Sequence, residues 1–230
     1  YNRSTHMKTL KFTTIAAAVL AASSFSQVAT AEISANVAAT SNYLWRGLEQ
    51  TNGAAAVSGG IDYATESGFY AGTWASNASW GDMKTEVDLY FGFGGDISNS
   101  ISYDVGYIYF AYPDSVSDEN DFSEIYASIS ASGFTFGVAV LADSEAGGDG
   151  AGFGDSIYAN LDYGIALDSG AEVGLHIGDY SGDFSTDSTD IGISVSKDSF
   201  TFGVSKTDYD DGAGSDDLKF YVSYSVDITL

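Results

Sequence analysis

Beyond residue 31 the chain alternates apolar and polar positions, most clearly at its C-terminal end. From Leu218 to Leu230 every even position is apolar: Leu218, Phe220, Val222, Tyr224, Val226, Ile228 and Leu230. The odd positions are Lys219, Ser223, Ser225, Asp227 and Thr229, with Tyr221 the one exception. Successive strand side chains point to opposite faces, so this stretch has one apolar face and one wet face. It is longer than the 5–6 residues or so of an ordinary strand and suits the roughly 9–11 that cross a bilayer. A dyad of this length predicts the closing strand of a transmembrane barrel; a long edge strand of a soluble sandwich is the alternative.

The same reading extended along the chain predicts an all-β, antiparallel, up-and-down barrel of about twelve strands. The first runs from about Ile33 to Trp45 and sets Tyr43 and Trp45 on the apolar face. The second spans about 55–64, the third 69–77, the fourth 84–94 and the fifth 101–112. The sixth centres on Ile125–Ile129, the seventh on Phe134–Val140, the eighth on Ile157–Tyr163 and the ninth on Val173–Ile177. The tenth centres on Ile191–Val195 and the eleventh on Phe200–Val204, before the closing strand. Connections alternate: short at 65–68, 96–100, 132–133, 168–170 and 197–199, long at 46–54, 77–83, 112–123, 142–155, 178–189 and 208–217. Membrane barrels sort turns and loops to opposite ends in this way, with short periplasmic turns and long outer loops.

An internal repeat supports the strand count. Ile125 to Val138 recurs as Ile191 to Val204, an offset of 66 residues, or four strands. Aromatics gather at strand ends on the apolar face. Tyr63, Phe69, Phe93, Tyr103, Phe134, Tyr163 and Phe200 lie beside short turns; Tyr43, Trp45, Tyr107, Tyr109 and Phe220 lie towards the long loops. Two such rings are the interfacial girdles of a barrel in lipid.

Charge and composition narrow the function. Residues 1–6 fit no element and read as a leader remnant. Residues 7–31 read as a secretory signal, with Lys8 and Lys11, an apolar run from Phe12 to Ala22, and Ala29-Thr30-Ala31 for cleavage. The barrel domain is then 32–230. The chain carries a net charge of −24, which becomes −27 once Arg3, Lys8 and Lys11 are removed with the leader. Nucleic acid is excluded as a partner, because a phosphate backbone needs a basic face. Cys is absent, so no disulfide framework forms, and the single proline, Pro113, falls in a loop.

The segment Ser41-Asn42-Tyr43-Leu44-Trp45-Arg46-Gly47-Leu48-Glu49-Gln50-Thr51-Asn52-Gly53, with Ala56 to Ala64 and Ser67-Gly68-Phe69-Tyr70-Ala71-Gly72-Thr73-Trp74-Ala75-Ser76-Asn77, resembles the N-terminal signature of the TorF-like family of porins. These are small proteobacterial outer-membrane barrels. The resemblance covers residues 41–77 closely and the remainder only in general pattern. It implies an outer-membrane barrel with a pore, and it carries no catalytic residues and no solute.

The expected pore lining is the wet face: Asp62, Glu86, Asp88, Asp104, Glu124, Asp162, Glu172 and Asp190, against Arg46, Lys84 and Lys219. An open lumen so lined favours cations, since rings of carboxylates select by sign. A small barrel filled by its own side chains is the other possibility. Arg46 either narrows the mouth from within or pairs with a wall carboxylate. Acids crowd the long loops, among them Asp114, Asp118, Asp121, Asp143, Asp183, Asp210 and Asp217. They could bind Ca²⁺ or bridge to lipopolysaccharide, or serve as a solvated surface. Gly147 to Asp155 has a distant likeness to a single Ca²⁺-binding nonapeptide, and a mobile loop is the preferred reading. His176, beside Glu172 and Asp162, is the lone histidine after the leader, and no Ser–His–acid set can be assigned from it. No cofactor, metal centre or enzyme activity is expected. The leading expectation is a porin passing small hydrophilic, cationic or neutral solutes, with lipid and lipopolysaccharide as its surroundings. A sealed, adhesin-type barrel is the runner-up and a barrel hydrolase the third.

Overall fold

The computed structural model describes residues 31–115, 120–145, 152–184, 186–209 and 216–230. The segment read as a leader, up to Thr30, lies outside them, as do Asp118, Asp210 and most of the Gly147–Asp155 loop.

Twelve antiparallel strands close into a barrel: β1 (Glu32–Thr40), β4 (Ala56–Ala64), β5 (Phe69–Trp80), β6 (Met83–Ser98), β7 (Ile101–Ala111), β8 (Phe122–Ala131), β9 (Phe134–Ser144), β10 (Ser156–Ala166), β11 (Glu172–Gly182), β12 (Ser188–Lys197), β13 (Phe200–Tyr209) and β14 (Lys219–Thr229). Each pairs with its neighbours in sequence, and β1 pairs with both β4 and β14, Val37 lying opposite Gly59 on one side and Val226 on the other. Closure leaves no strand at a free sheet edge, so each of the twelve is paired on both sides. The remaining two strands, β2 (Leu44–Trp45) and β3 (Leu48–Glu49), form a separate hairpin.

The two faces carry opposite chemistry. On β14, Phe220, Val222, Tyr224 and Ile228 are exposed outward, while Lys219, Tyr221 and Ser223 are buried inside. The pattern repeats around the wall, with Ile61, Leu89, Phe91, Val105, Ile129, Phe136, Leu175, Ile193 and Phe202 outward. In a water-soluble fold these residues would be the core. At the turn end, Tyr63, Phe93, Tyr103, Phe134 and Phe200 are exposed on the outer face, and Phe134 stacks on Tyr163 with ring centroids 4.3 Å apart.

The sequence repeat is a structural repeat. Both copies are hairpins, β8–β9 and β12–β13, and both place the same inward hydroxyl pair beside the turn. Ser130 meets Thr135 at 2.8 Å, and Ser196 meets Thr201 at 2.9 Å.

Two expectations are corrected. The first strand ends at Thr40, not Trp45, so Tyr43 and Trp45 leave the outer girdle and turn inward. The link at 77–83 is not long: β5 and β6 run on to a tight turn at Gly81-Asp82, where Gly81 takes a left-handed φ of 57°. A bulge after Asn77 shifts the register there, which period-2 counting cannot see.

Inside the wall, tyrosines lie across glycines on the adjacent strand. A Cβ on Gly106 would run into the Tyr126 ring and the Phe91 carbonyl oxygen, and one on Gly72 would meet Tyr90. Gly106→Ala is therefore expected to cost about 1–3 kcal/mol, the usual penalty for overpacking. A urea titration of the refolded barrel reads it; an unchanged midpoint would mean that the tyrosines yield freely.

Candidate functional site

The feature that sets this barrel apart from a plain cylinder is the 41–55 connection, which folds into the lumen. Its local conformation follows from its sequence. Arg46 and Gly47 both take positive φ, 51° and 75°, between Trp45 and Leu48. Two such residues at the tip of a hairpin make the turn whose twist matches the flanking strands. Glycine at 47 also meets a steric need, because a Cβ there would overlap the Thr207 hydroxyl. The hairpin tip thus carries Arg46 into the barrel, pressed against the far wall.

Every side of the lumen holds the hairpin. Tyr43 donates its hydroxyl to Glu86 on β6 at 2.8 Å and packs edge-on against Trp74 of β5. The Gly47 carbonyl accepts a hydrogen bond from Thr207 of β13 at 3.0 Å. The Gln50 carbonyl accepts from the Ser79 N–H at 2.7 Å, and the Gln50 N–H donates to the Tyr43 carbonyl at 2.8 Å. Trp45 packs among Phe110, Phe122 and Tyr180. These rings join Met83, Ile108, Tyr112 and Leu141 in an apolar cluster inside the barrel, at its loop end. Trp45 packs onto that cluster while Tyr43 is buried against Trp74, so burial rather than strand propensity ends β1 early.

Arg46 is the centre of the arrangement. Its two terminal nitrogens reach the two Glu124 oxygens at 2.8 and 2.6 Å, a bidentate fork. Its guanidinium carbon lies 4.2 Å from the centre of the Trp45 ring, 4.4 Å from Tyr158 and 5.5 Å from Tyr180. Both charged partners are buried. Charge-assisted paired hydrogen bonds and aromatic faces are the two contacts a guanidinium favours most.

Below the hairpin the wall is polar. Tyr90 donates to Asp62 at 2.6 Å. Tyr70 donates to Asp104 and meets the Tyr126 hydroxyl, both at 2.5 Å. His176 lies between two aspartates, Nδ1 at 2.7 Å from Asp162 and Nε2 at 2.9 Å from Asp190, with the Tyr158 hydroxyl 3.0 Å from Nε2. Carboxylates on both ring nitrogens suit a bridging imidazolium and leave the ring no lone pair for a nucleophile's proton.

The sequence-predicted lining therefore divides. Arg46 and Glu124 meet; Glu86 meets the hairpin through Tyr43; Asp162 and Asp190 meet through His176. Asp62 and Asp104 are held by tyrosines. Asp88 is fully buried next to Glu86, and neither of its oxygens has a hydrogen-bond partner among the described residues. Glu172 is half-buried at the turn end, and Lys219 is buried on the inner face of β14. Lys84 stands apart, exposed at the loop end.

There the Lys84 and Thr85 N–H groups donate to Asp114 at 3.2 and 3.1 Å, and the Thr85 hydroxyl adds a third bond. Desolvation pushes the Asp114 carboxyl up, but these donors together outweigh it and hold it below the ordinary aspartate range. Asp121 is similarly engaged, accepting from the Tyr112 N–H and the Tyr109 hydroxyl. These loop acids fasten backbone and neighbouring strands, a use that loop composition alone could not reveal.

Sequence reasoning missed Tyr43, Trp45 and Tyr180 as lumen residues. A signal existed. Trp45-Arg46-Gly47-Leu48 has the form of a two-residue hairpin, and it is rich in large apolar residues where the other long connections are acidic.

Among known proteins, the family model described as a bacterial protein of unknown function, Gcw_chp, matches residues 25–228. No curated protein matches the chain. Among solved structures the chain is similar to the KdgM porin in complex with disordered oligogalacturonate, at 10% identity and a TM-score of 0.50, covering 86% of this chain and 99% of that one. A second KdgM porin structure gives 10% identity, the same coverage and a TM-score of 0.49. OprD from Pseudomonas aeruginosa gives 12% identity and 0.43, covering 89% of this chain and 68% of that one. At such identities the likeness to KdgM concerns the fold.

Proposed function

Because this chain belongs to the Gcw_chp family, bacterial proteins of unknown function, we propose a role from its own geometry. It is an outer-membrane channel for small hydrophilic solutes, restricted by the 41–55 hairpin and favouring cations. The apolar outer face supports residence in a bilayer, and the segment 7–31 is its export signal. The TorF-like resemblance over residues 41–77 agrees with this reading, and those residues include the hairpin.

The observation that carries it is the sign of the inner wall. Asp62, Glu86, Asp88, Asp104, Glu124, Asp162 and Asp190 all point inward, and the basic groups facing them are Arg46, His176 and Lys219. A low-dielectric wall with an excess of one sign concentrates counter-ions and repels like ions. KdgM was solved with an oligogalacturonate; a polyanionic sugar of that class is poorly matched to these carboxylates. Of the predicted lining, Lys84 is best assigned to the loop rim.

The refolded chain in a planar bilayer under a tenfold KCl gradient is expected to give a reversal potential of the cation-selective sign, with small unitary currents. Anion preference would refute the lining as drawn. Absence of any current would favour the second reading, a sealed barrel displaying acidic loops to a partner, divalent ions or lipopolysaccharide. The hairpin's packing against the inner wall is the observation that keeps this second reading alive.

A further inference from the structure

Arg46 and its surroundings come from two sources. Arg46 and Trp45 belong to the hairpin. Glu124, Tyr158 and Tyr180 belong to β8, β10 and β11 of the wall. With the hairpin set aside, the wall still presents the Glu124 carboxylate together with the two rings that flank its guanidinium partner, Tyr158 and Tyr180. Tyr158 is held by its hydroxyl, which donates to Asp190 at 3.1 Å and meets His176. Its ring is therefore aimed before Arg46 arrives.

The geometry points to a recognition site for guanidinium-bearing organic cations at Glu124, Tyr158 and Tyr180, in which Arg46 acts as an internal occupant. This rests on the channel reading above and names its solute class. The Glu124 oxygens match a planar fork, at 2.8 and 2.6 Å in the internal complex. The aromatic faces accept a delocalised cation better than a hydrated metal ion. Arginine-like solutes present the same group as Arg46. An uncharged ureido analogue has the same shape without the charge.

Arg46 holds the site by tethering. A ligand joined to its receptor by a short segment competes at an effective concentration in the millimolar range. The tip is also under backbone strain, since Arg46 is a non-glycine residue at positive φ. A free guanidinium solute that takes Glu124 releases that strain and frees the hairpin tip. Solute arrival and widening of the lumen are then one event, which requires only that the solute bind the displaced state better than the plugged one.

Calorimetric titration of the full chain in detergent, comparing arginine with citrulline, tests this without reference to conductance. R46A is expected to bind arginine at least tenfold more tightly than it binds citrulline, and at least tenfold more tightly than the wild type binds arginine. E124Q in the R46A background is expected to abolish the difference between the two solutes. Equal binding of both by R46A, or no effect of E124Q, would overturn the proposal. Should R46A fail to fold, judged by its gel mobility before and after heating, R46M retains the apolar stem and takes its place. The wild type provides a second arm: tens of millimolar arginine should speed amide hydrogen exchange across residues 43–51 at least fivefold, and citrulline should not. Unchanged exchange in arginine refutes displacement. Arginine binding in a barrel that passes no current would remove the channel reading and leave the site standing.

Discussion

Glu124→Ala is expected to lower the unfolding free energy by about 3–5 kcal/mol, the range for breaking a buried ion pair from one side. The cost arises from what stays behind. Arg46 is buried, its guanidinium is enclosed by Trp45, Tyr158 and Tyr180, and Glu124 supplies both of its close carboxylate contacts. Removing the carboxylate leaves a desolvated cation, which is far worse than removing both partners. The double variant R46A/E124A should therefore be more stable than E124A alone, the signature of coupling in a mutant cycle. Urea unfolding in liposomes, followed by gel mobility, reads all three. The same variants should raise unitary conductance several-fold, because the hairpin loses its main attachment at the tip. E124A with wild-type stability and wild-type current would show that the fork is incidental.

The second large effect belongs to the outer face. Ile193 lies in the middle of β12, half exposed on the outside, between Leu175 and Val204 of the adjacent strands. An arginine at the midplane of a membrane barrel costs about 2–4 kcal/mol, falling towards the interfaces. Ile193→Arg is expected to lose that amount in a bilayer. The outward Lys206, nearer the loop end and paired with Ile191, already shows where a cation is tolerated on this face. Folding yield into vesicles, with urea titration, measures the loss. If Ile193→Arg folds as well as the wild type, the outer belt does not face hydrocarbon.

Alternation alone determined the wall. Each of the twelve barrel strands was legible because a strand's side-chain period is two, and because burial on one face and exposure on the other imprint that period directly. The C-terminal strand, the hairpin repeat at 125–138 and 191–204, and the turn-end aromatics needed no tertiary knowledge. The inward parity of Asp62, Glu86, Asp88, Asp104, Glu124, Asp162 and Asp190 came with them. What alternation cannot carry is the partner of a side chain across the lumen. Tyr43 and Trp45 continue the apolar parity of β1, and only the inner rings of Trp74, Phe110, Phe122 and Tyr180 explain why they turn inward. Arg46 and Glu124 are 78 residues apart in sequence, and closure of the barrel brings them together. His176 meets Asp190 because β11 and β12 are neighbours in one particular register. Periodicity is a property of one strand at a time. The contents of the lumen depend on which strands face each other, and that is decided only when the sheet closes.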